Sequence, residues 1–562
     1  MKQDAVPAPE LPRRLWYLGL MAVLVGGFFL QTRAASRAAS QTWDEANHLA
    51  AGASYLATRD FRMAPENPPL SKMLAALPSL FWGPRFVPRE PSWMAINPWT
   101  SGNAFLYAPG VDSDAVLRRA RIPIRLLGCL LLCCVMAWAW QLWGPGGALV
   151  SGAFAAFDPT LIAHSSVVTP DVAVALFGFA ACWIAWQLHR ASRAWLWPAL
   201  GMALGLAVSS KFTALLVVPA LFASWIWTFL RAGNGSMPKR SAAEGLAVAA
   251  ACGLAVLWAC YLFQSPMPFL KGLLWQANHQ REGHAAFLLG SVSTHGRLSY
   301  FPIVLLVRTP LATLAAFAAG MLQWGRGPLR RWPAAPFWGA AFVLFPAAAH
   351  ATLMVFGNVN LGARYLLPMF PFLFVLAGRL ATVRLPKAAL LSLALPMITA
   401  ASVLAQAPRP LSYFNAIAGG PKGGARWLGD SNLDWGQDLR ALGDSIRRRG
   451  GPLVYLAYNG TAPPEYYGIR NMRLQPGACE PDPGEAPALI AASISCLQGT
   501  PSWPDVDRLA FLRSREPIEQ VGVSIRLFAV ERADHAKLAA LFGTGCAAQR
   551  ERHLANLVEL GQ

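Results

Sequence analysis

Charge is scarce in this sequence, and negative charge scarcer still. Only 14% of its 562 residues are charged, with 29 Asp and Glu against 48 Lys and Arg, while 55% are hydrophobic. So little charge cannot coat a soluble globule of this size, which excludes a single soluble core and points to a chain that crosses a membrane many times. Nor does the net charge of +19 indicate a nucleic-acid partner. Up to Pro408 the chain carries 31 Lys and Arg against 13 Asp and Glu, and beyond it 17 against 16, so nearly all of the excess lies in the hydrophobic part. Basic turns that orient membrane helices account for it better than phosphate contacts, and no nucleic acid is expected.

Other absences narrow the function. No segment repeats at a fixed period, and no low-complexity tract stands out beyond alanine-rich apolar stretches. Six of the nine cysteines fall in apolar stretches as small fillers, and Cys479, Cys496 and Cys546 lie in the tail with no spacing that suits zinc. If the tail faces an oxidising compartment, a Cys479 to Cys496 disulfide with Cys546 free is expected. The stretch GGPKGG (419–424) lacks the spacing and the Ser or Thr of a nucleotide-binding loop. The acidic run from Gly429 to Leu439 begins like a calcium loop with Asp430, Asn432 and Asp434. However, Gly436 comes one place late, and Ala441 stands where a bidentate glutamate is needed.

What is present is apolar length. Leu15 to Leu30 is followed by stretches at about 122–143, 146–163, 171–189, 195–209, 212–230, 243–263, 300–323, 334–357, 363–381 and 387–405, which predicts about eleven transmembrane helices. The first stretch is too long, and the Ala34-Ala35-Ser36 site too loose, for a signal peptide. With a cytoplasmic N-terminus, the turns His189–Arg193, Arg231–Arg240, Arg326–Arg331 and Arg379–Lys387 all face inward, and all are basic. The fold class expected is therefore mainly α and polytopic. A membrane domain spans 1–405 with a long external first loop at 32–121, and an extracytoplasmic α/β domain spans 406–562. In the tail, LRALGDSIRRRG (439–450) reads as helix, and PLVYLAYNG (452–460) and VSIRLFAVE (523–531) read as strands. Within the first loop, Leu70 to Trp82 is too short to cross and reads as an interfacial helix. The apolar stretches show neither paired repeats nor interruptions of the kind transporters and lipid flippases use.

The chemistry centres on Asp44 and Glu45, just outside the first stretch. An isolated acidic pair is ordinarily two solvated carboxylates, but this chain spends few acids on its membrane half. Adjacent residues point about 100° apart on a helix, so one is expected to act, as a proton acceptor for a hydroxyl, while the other supports it. Next comes Pro65 to Lys72, whose prolines delay helix until Leu70 and put Lys72 in its first turn, where an anion or a lipid head group would bind. Arg364 at a membrane entry, Lys211 in an outer turn and Arg308 inside a span are cations that, facing a carboxylate, suit a membrane-borne phosphate. Asp158 and Asp171 flank an outer turn containing His164 and read first as helix caps. His48, Asn67, Asp171, Asp430 and Asp434 are candidates for acceptor binding or support, and a divalent metal is left open.

An ordered set of motifs carries a resemblance. Asp44-Glu45, NPPLSK (67–72), NLGARYLLPMFPF (360–372) and YFNAIAGGPKGGARWLGDSNLDWGQDL (413–439) resemble bacterial glycosyltransferases that use polyprenyl-phosphate sugars. These are relatives of the protein O-mannosyltransferases and the lipid A aminoarabinose transferase in the GT-C superfamily. The likeness covers the membrane half and the start of the tail, and adds little beyond about Pro463. It implies a hexosyl- or pentosyltransferase of the inner membrane with a polyprenyl-phosphate sugar donor. It also implies Asp44 as the catalytic carboxylate, Lys72 on the donor phosphate and Arg364 nearby. The acceptor could be protein, lipid or glycan. Two departures count: Asn67 stands where mannosyltransferases have histidine, and no sugar-binding trefoil is inserted, so a protein acceptor is not implied.

Overall fold

The structure is a computed structural model describing residues 11–191, 193–232, 239–326, 341–382, 386–474, 487–500, 509–531 and 534–539. It is mainly helical, and each apolar stretch has a helical counterpart. Helix α1 (Leu11–Ala38) exposes Leu15, Trp16, Leu18, Leu20 and Val23, a surface suited to lipid rather than water. Among the described residues five helices are long and apolar enough to cross a membrane, or six if one bent pair is counted. Shorter apolar helices lie at Leu196–Ser210, Phe212–Thr228, Ala341–Phe356 and Leu390–Leu404. The chain is a multi-pass membrane protein.

The first loop is not a loop for most of its length. It holds α2 (Glu45–Thr58), α3 (Leu70–Ala76) and a helix at Pro98–Leu106 before α4 (Ser113–Ala156) begins. The interfacial helix expected over Leu70 to Trp82 divides instead at Pro78. Its first part, α3, buries Leu70, Met73, Ala75 and Ala76, whereas Ser79–Trp82 exposes Leu80, Phe81 and Trp82. Close packing of α3 on α2 depends on Gly52, where a Cβ would stand 2.1 Å from the carbonyl oxygen of Lys72.

The two stretches expected as separate spans, 122–143 and 146–163, follow one another within α4 (Ser113–Ala156) as two helices, divided at Gly144, whose backbone (φ 77°, ψ −173°) is non-helical just before Pro145. Asp158 then caps the short helix Pro159–His164 as expected, its Oδ1 accepting from the Leu161 N–H at 2.7 Å. Conversely, the single span expected at 300–323 is interrupted. Tyr300–Arg308 and Leu311–Leu322 meet at 114°, across Pro310, which cannot donate to the helical ladder. Backbone freed at this break is satisfied by the tail. Asn415 donates from Nδ2 to the carbonyls of Leu306 (2.6 Å) and Thr309 (2.8 Å), and from its N–H to that of Val307 (3.0 Å). Arg308 in turn donates to the carbonyls of Leu411 and Tyr413.

The tail forms a five-stranded sheet: β1 (Val454–Ala457), β2 (Asn471–Arg473), β3 (Leu489–Ser493), β4 (Glu519–Val521) and β5 (Ile525–Ala529), in the order β2-β1-β3-β5-β4. β1 runs parallel to β2 and β3, and β5 antiparallel to β3 and β4. Tyr455, Ile490 and Phe528 pack on one face, while Val454, Leu456 and Leu527 pack on the other against Leu439, Leu442 and Ile446 of α5 (Leu439–Arg448). Burial on both faces explains why these strands read as apolar runs. Cys479 and Cys546 lie outside the described residues.

Candidate active site

One stretch of the tail holds the site together. Trp43 donates its N–H to the Trp435 carbonyl and Ser40 its N–H to that of Gln437, both at 2.9 Å, while the Leu439 N–H donates to Ser40 Oγ at 3.1 Å. A few residues earlier in the same stretch, Asn432 Oδ1 accepts from the Ala363 N–H at 3.0 Å, and Ser431 Oγ donates to the Leu361 carbonyl at 2.9 Å. Gly362 (φ +86°) permits this approach, since a Cβ there would meet Ser431 Oγ at 2.9 Å. The run that resembled a calcium loop thus pins the turn carrying Asp44 to the turn carrying Arg364.

These two residues meet. Arg364 Nη1 lies 3.3 Å from Asp44 Oδ2, and the guanidinium stacks 4.5 Å from the Trp435 ring. The Asp44 side chain is 24% exposed, so its carboxylate remains reachable. Burial raises its proton affinity above the ordinary carboxylate value; the Arg364 charge opposes this, and the charges of Glu66 and Asp430 add to it.

Glu45, the neighbour, is wholly buried and fully occupied. Arg121 of α4 donates to it through Nε at 2.7 Å and Nη2 at 2.6 Å, and the N–H groups of Thr42 (2.9 Å) and Val168 (2.8 Å) complete its shell. Arg121 also donates to the carbonyls of Ser36, Ala39 and Ser40. Although burial works against ionisation, the Arg121 charge and these donors hold Glu45 below the usual carboxylate range. Of the adjacent acids, Asp44 is therefore the one with a free approach and Glu45 the one that fixes the turn.

Lys72 is almost completely buried. Its ammonium donates to the carbonyls of Ala64 and Asn67, the latter at 2.9 Å, and stands 3.7 Å from Glu66 Oε1. Burial lowers its proton affinity, and Glu66 and Asp44 counter the effect. Beside it a narrow crevice is lined by His48, Asn67, Ser71, Lys72 and Thr169. Burial first, then the charges of Lys72 and Arg364, push His48 down to about 3, so its imidazole is neutral. Among the described residues neither ring nitrogen of His48, nor the hydroxyls of Ser71 and Thr169, has a partner.

A second cation is paired alongside. Lys211 Nζ lies 2.7 Å from Asp171 Oδ1 and 4.2 Å from the Tyr365 ring, with His164 Nδ1 4.0 Å from Asp171 Oδ2. Asp171 thus serves as the partner of Lys211; its helix has no side-chain cap. Asp430 contributes charge to this neighbourhood. Asp434 instead faces the sheet, where its Oδ2 accepts from the Ser495 N–H at 2.9 Å, and burial pushes it up to about 7. Arg308 is spent on the helix break. Among the described residues no group of three or more His, Cys, Asp or Glu side chains is placed to hold a metal. Arg121, Glu66 and Trp435 escaped notice as site residues; for the first, the available signal was the arginine run Arg118, Arg119, Arg121 and Arg125 at the start of an apolar stretch.

Residues 113–258 match the family model of dolichyl-phosphate-mannose-protein mannosyltransferases. Among solved structures the chain is similar to ArnT from Cupriavidus metallidurans in the apo state, at 14% identity over 95% of this chain and 99% of that one, with a TM-score of 0.49. The same protein bound to undecaprenyl phosphate gives 14% identity over 94% and 99%, with a TM-score of 0.48. An oligosaccharyltransferase from Archaeoglobus fulgidus, in the apo form, gives 11% over 70% and 57%, with a TM-score of 0.45. No curated protein sequence matches the chain significantly.

Proposed function

We propose that this chain is a membrane glycosyltransferase that moves a hexosyl or pentosyl group from a polyprenyl-phosphate donor to a hydroxyl acceptor, with inversion. The observation that carries the reading is the reachable carboxylate of Asp44 beside Arg364, with Lys72 contributing charge to the same recess. The family match supports it, because that family's description names a lipid-phosphate sugar donor.

In the proposed reaction an acceptor hydroxyl gives its proton to Asp44 and attacks the anomeric carbon. The bond from that carbon to the phosphate oxygen breaks, and its electron pair leaves on the lipid phosphate. Arg364 and Lys72 offset the charge that grows there. Every cation of the site already faces an acid: Arg364 with Asp44, Lys72 with Glu66 and Lys211 with Asp171. A phosphate that draws Arg364 toward itself would leave Asp44 more basic, which couples donor binding to activation of the acceptor. On this reading the basic turns are cytoplasmic, and the site and the tail face the outer side of the inner membrane.

A transporter or flippase is the competing class, and the broken helix at Pro310 is the feature that would favour it. Its freed carbonyls are closed by Asn415, which suits an anchor for the tail better than a path for an ion. Purified protein given a radiolabelled polyprenyl-phosphate sugar and a mixed membrane extract should move label to an acceptor and release polyprenyl phosphate. Vesicle uptake or flipping of the donor without sugar release would refute the reading.

A further inference from the structure

A second, strongly basic recess lies away from the Asp44 crevice, where the last turns of α1 meet the first turns of α4. Arg33 and Arg37 on one helix, with Arg118, Arg119 and Arg125 on the other, line a groove of about 230 Å³. Among the described residues none of the five is in an ion pair. Arg119 donates to the Trp82 carbonyl at 2.8 Å, and Arg125 lies over the Phe29 ring at 5.3 Å. Arg125 is only 5% exposed, its Nε is without a partner, and it faces the like charges of Arg121, Arg33 and Arg37. Of the neighbouring carboxylates, Asp114 pairs with Arg440 at 2.5 Å and Glu45 with Arg121, and Asp112, which caps its helix by accepting from the Ala115 N–H, makes no ion pair with the five among the described residues. Five guanidinium groups gathered without a counter-charge repel one another, so the groove is built for an anion that comes from outside the chain.

The wall below the arginines says what the anion is attached to. Ile122, which lines the groove, continues through Leu126 and Leu130 as an exposed apolar lane at four-residue spacing down α4, and Leu30 of α1 is exposed one turn below Arg33. A charged recess opening onto an apolar lane matches a head group above an acyl chain. On the topology proposed above these arginines stand on the outer side, where the orienting bias of membrane proteins does not call for them. The planar, forked guanidinium suits phosphate oxygens in particular.

We propose that this groove binds an anionic phospholipid of the surrounding leaflet, its phosphate among the five arginines and one acyl chain along Ile122, Leu126 and Leu130, separately from the sugar donor. Native mass spectrometry of the full-length protein, released from nanodiscs of mixed phosphatidylglycerol and phosphatidylcholine, tests it. The expected result is retained phosphatidylglycerol in preference to phosphatidylcholine, with the preference falling by about fivefold per charge removed in Arg33→Gln, Arg37→Gln and Arg118→Gln, singly and combined. These side chains are on the surface, and an unchanged melting curve will show that the variants fold. Asp44→Asn should keep the lipid, and added undecaprenyl phosphate should not displace it. Equal retention of the two lipids, or a preference untouched by the triple variant, overturns the proposal. So does displacement by undecaprenyl phosphate, which would give the groove to the donor. Complete displacement by inorganic phosphate alone would make it a free-anion site and also overturn it.

Discussion

Replacing Glu45 by glutamine should loosen the protein, whereas replacing its neighbour Asp44 by asparagine should leave it intact and inactive. The Glu45 carboxylate accepts four hydrogen bonds, two from Arg121 and one each from the Thr42 and Val168 N–H groups. A glutamine of the same shape offers one oxygen where there were two, and turns an NH2 group toward groups that are themselves donors. The Arg121 guanidinium then stays buried without its counter-charge. Removing one partner of such a buried pair costs about 3–5 kcal/mol, and a donor left unsatisfied in place costs about 1–3 kcal/mol. The two overlap, so a loss of about 3–5 kcal/mol is expected. Asp44 has a single long contact to Arg364 and a side chain partly open to solvent, so Asp44→Asn should change stability little while transfer falls by about 10²–10⁴. Thermal unfolding in nanodiscs and initial rates of sugar transfer, measured on both variants, separate the roles. If Glu45→Gln melts with the parent and is dead while Asp44→Asn retains parental turnover, the assignment of acting and supporting acids is reversed.

Three further outcomes are expected. Lys72→Met should raise the donor KM and lower kcat together, by about 10²–10³ in kcat, because a phosphate cation contacts the bound donor and gains as the leaving group charges; unchanged donor KM would remove Lys72 from the phosphate site. The acid limb of the pH–rate profile should lie above the ordinary carboxylate range. Asp44 must be ionised to accept a proton, and its raised affinity means activity is lost as pH falls through that higher value. Arg364→Gln removes the charge opposing the rise and should move the limb further up in pH, so a limb moving down would contradict the pairing. Gly52→Ala should cost stability by about 1–3 kcal/mol, and activity with it, because the added carbon meets the Lys72 carbonyl at 2.1 Å and must push α3 from α2; parental melting and turnover would show that this contact does not position Lys72.

Much of the fold was legible because its parts have strong periods or simple lengths. Apolar stretches announce helices wherever the bilayer, and not a partner, sets their composition, and the strands at Val454–Ala457 and Ile525–Ala529 announced themselves as apolar runs between turn residues. What escaped was structure held by contacts remote in sequence. Helix α2 is alanine-rich and too short to span, so it passed for loop until α3 packed on it through Gly52. The breaks at Gly144 and Pro310 were written as glycine and proline inside hydrophobic runs, but how the chain turns at each depends on what can satisfy the freed carbonyls. At Pro310 that is Asn415, about a hundred residues on. The resemblance pointed to Asp44, Lys72 and Arg364, while Arg121 stayed hidden because, in a run with Arg118, Arg119 and Arg125, nothing in the sequence singles out the one that reaches a buried carboxylate.

The role of the tail follows from where its hydrogen bonds end. Residues 431–437 reach one way to Leu361 and Ala363, and the other way to Ser40 and Trp43, so the separation of Arg364 from Asp44 is set by a third segment that carries neither. That segment is itself held from behind, where Asp438 Oδ2 accepts from the N–H groups of Val523 (2.8 Å) and Ser524 (2.9 Å), and Asp434 Oδ2 from that of Ser495. The sheet therefore bears on the site through two buried carboxylates that touch nothing in the recess. A charge pair held 3.3 Å apart by three converging segments can be opened by a phosphate arriving at Arg364 without moving the turn that carries Asp44. In the transfer proposed above, Asp44 would then stay in place while Arg364 turned to the leaving group, as a single displacement at carbon requires.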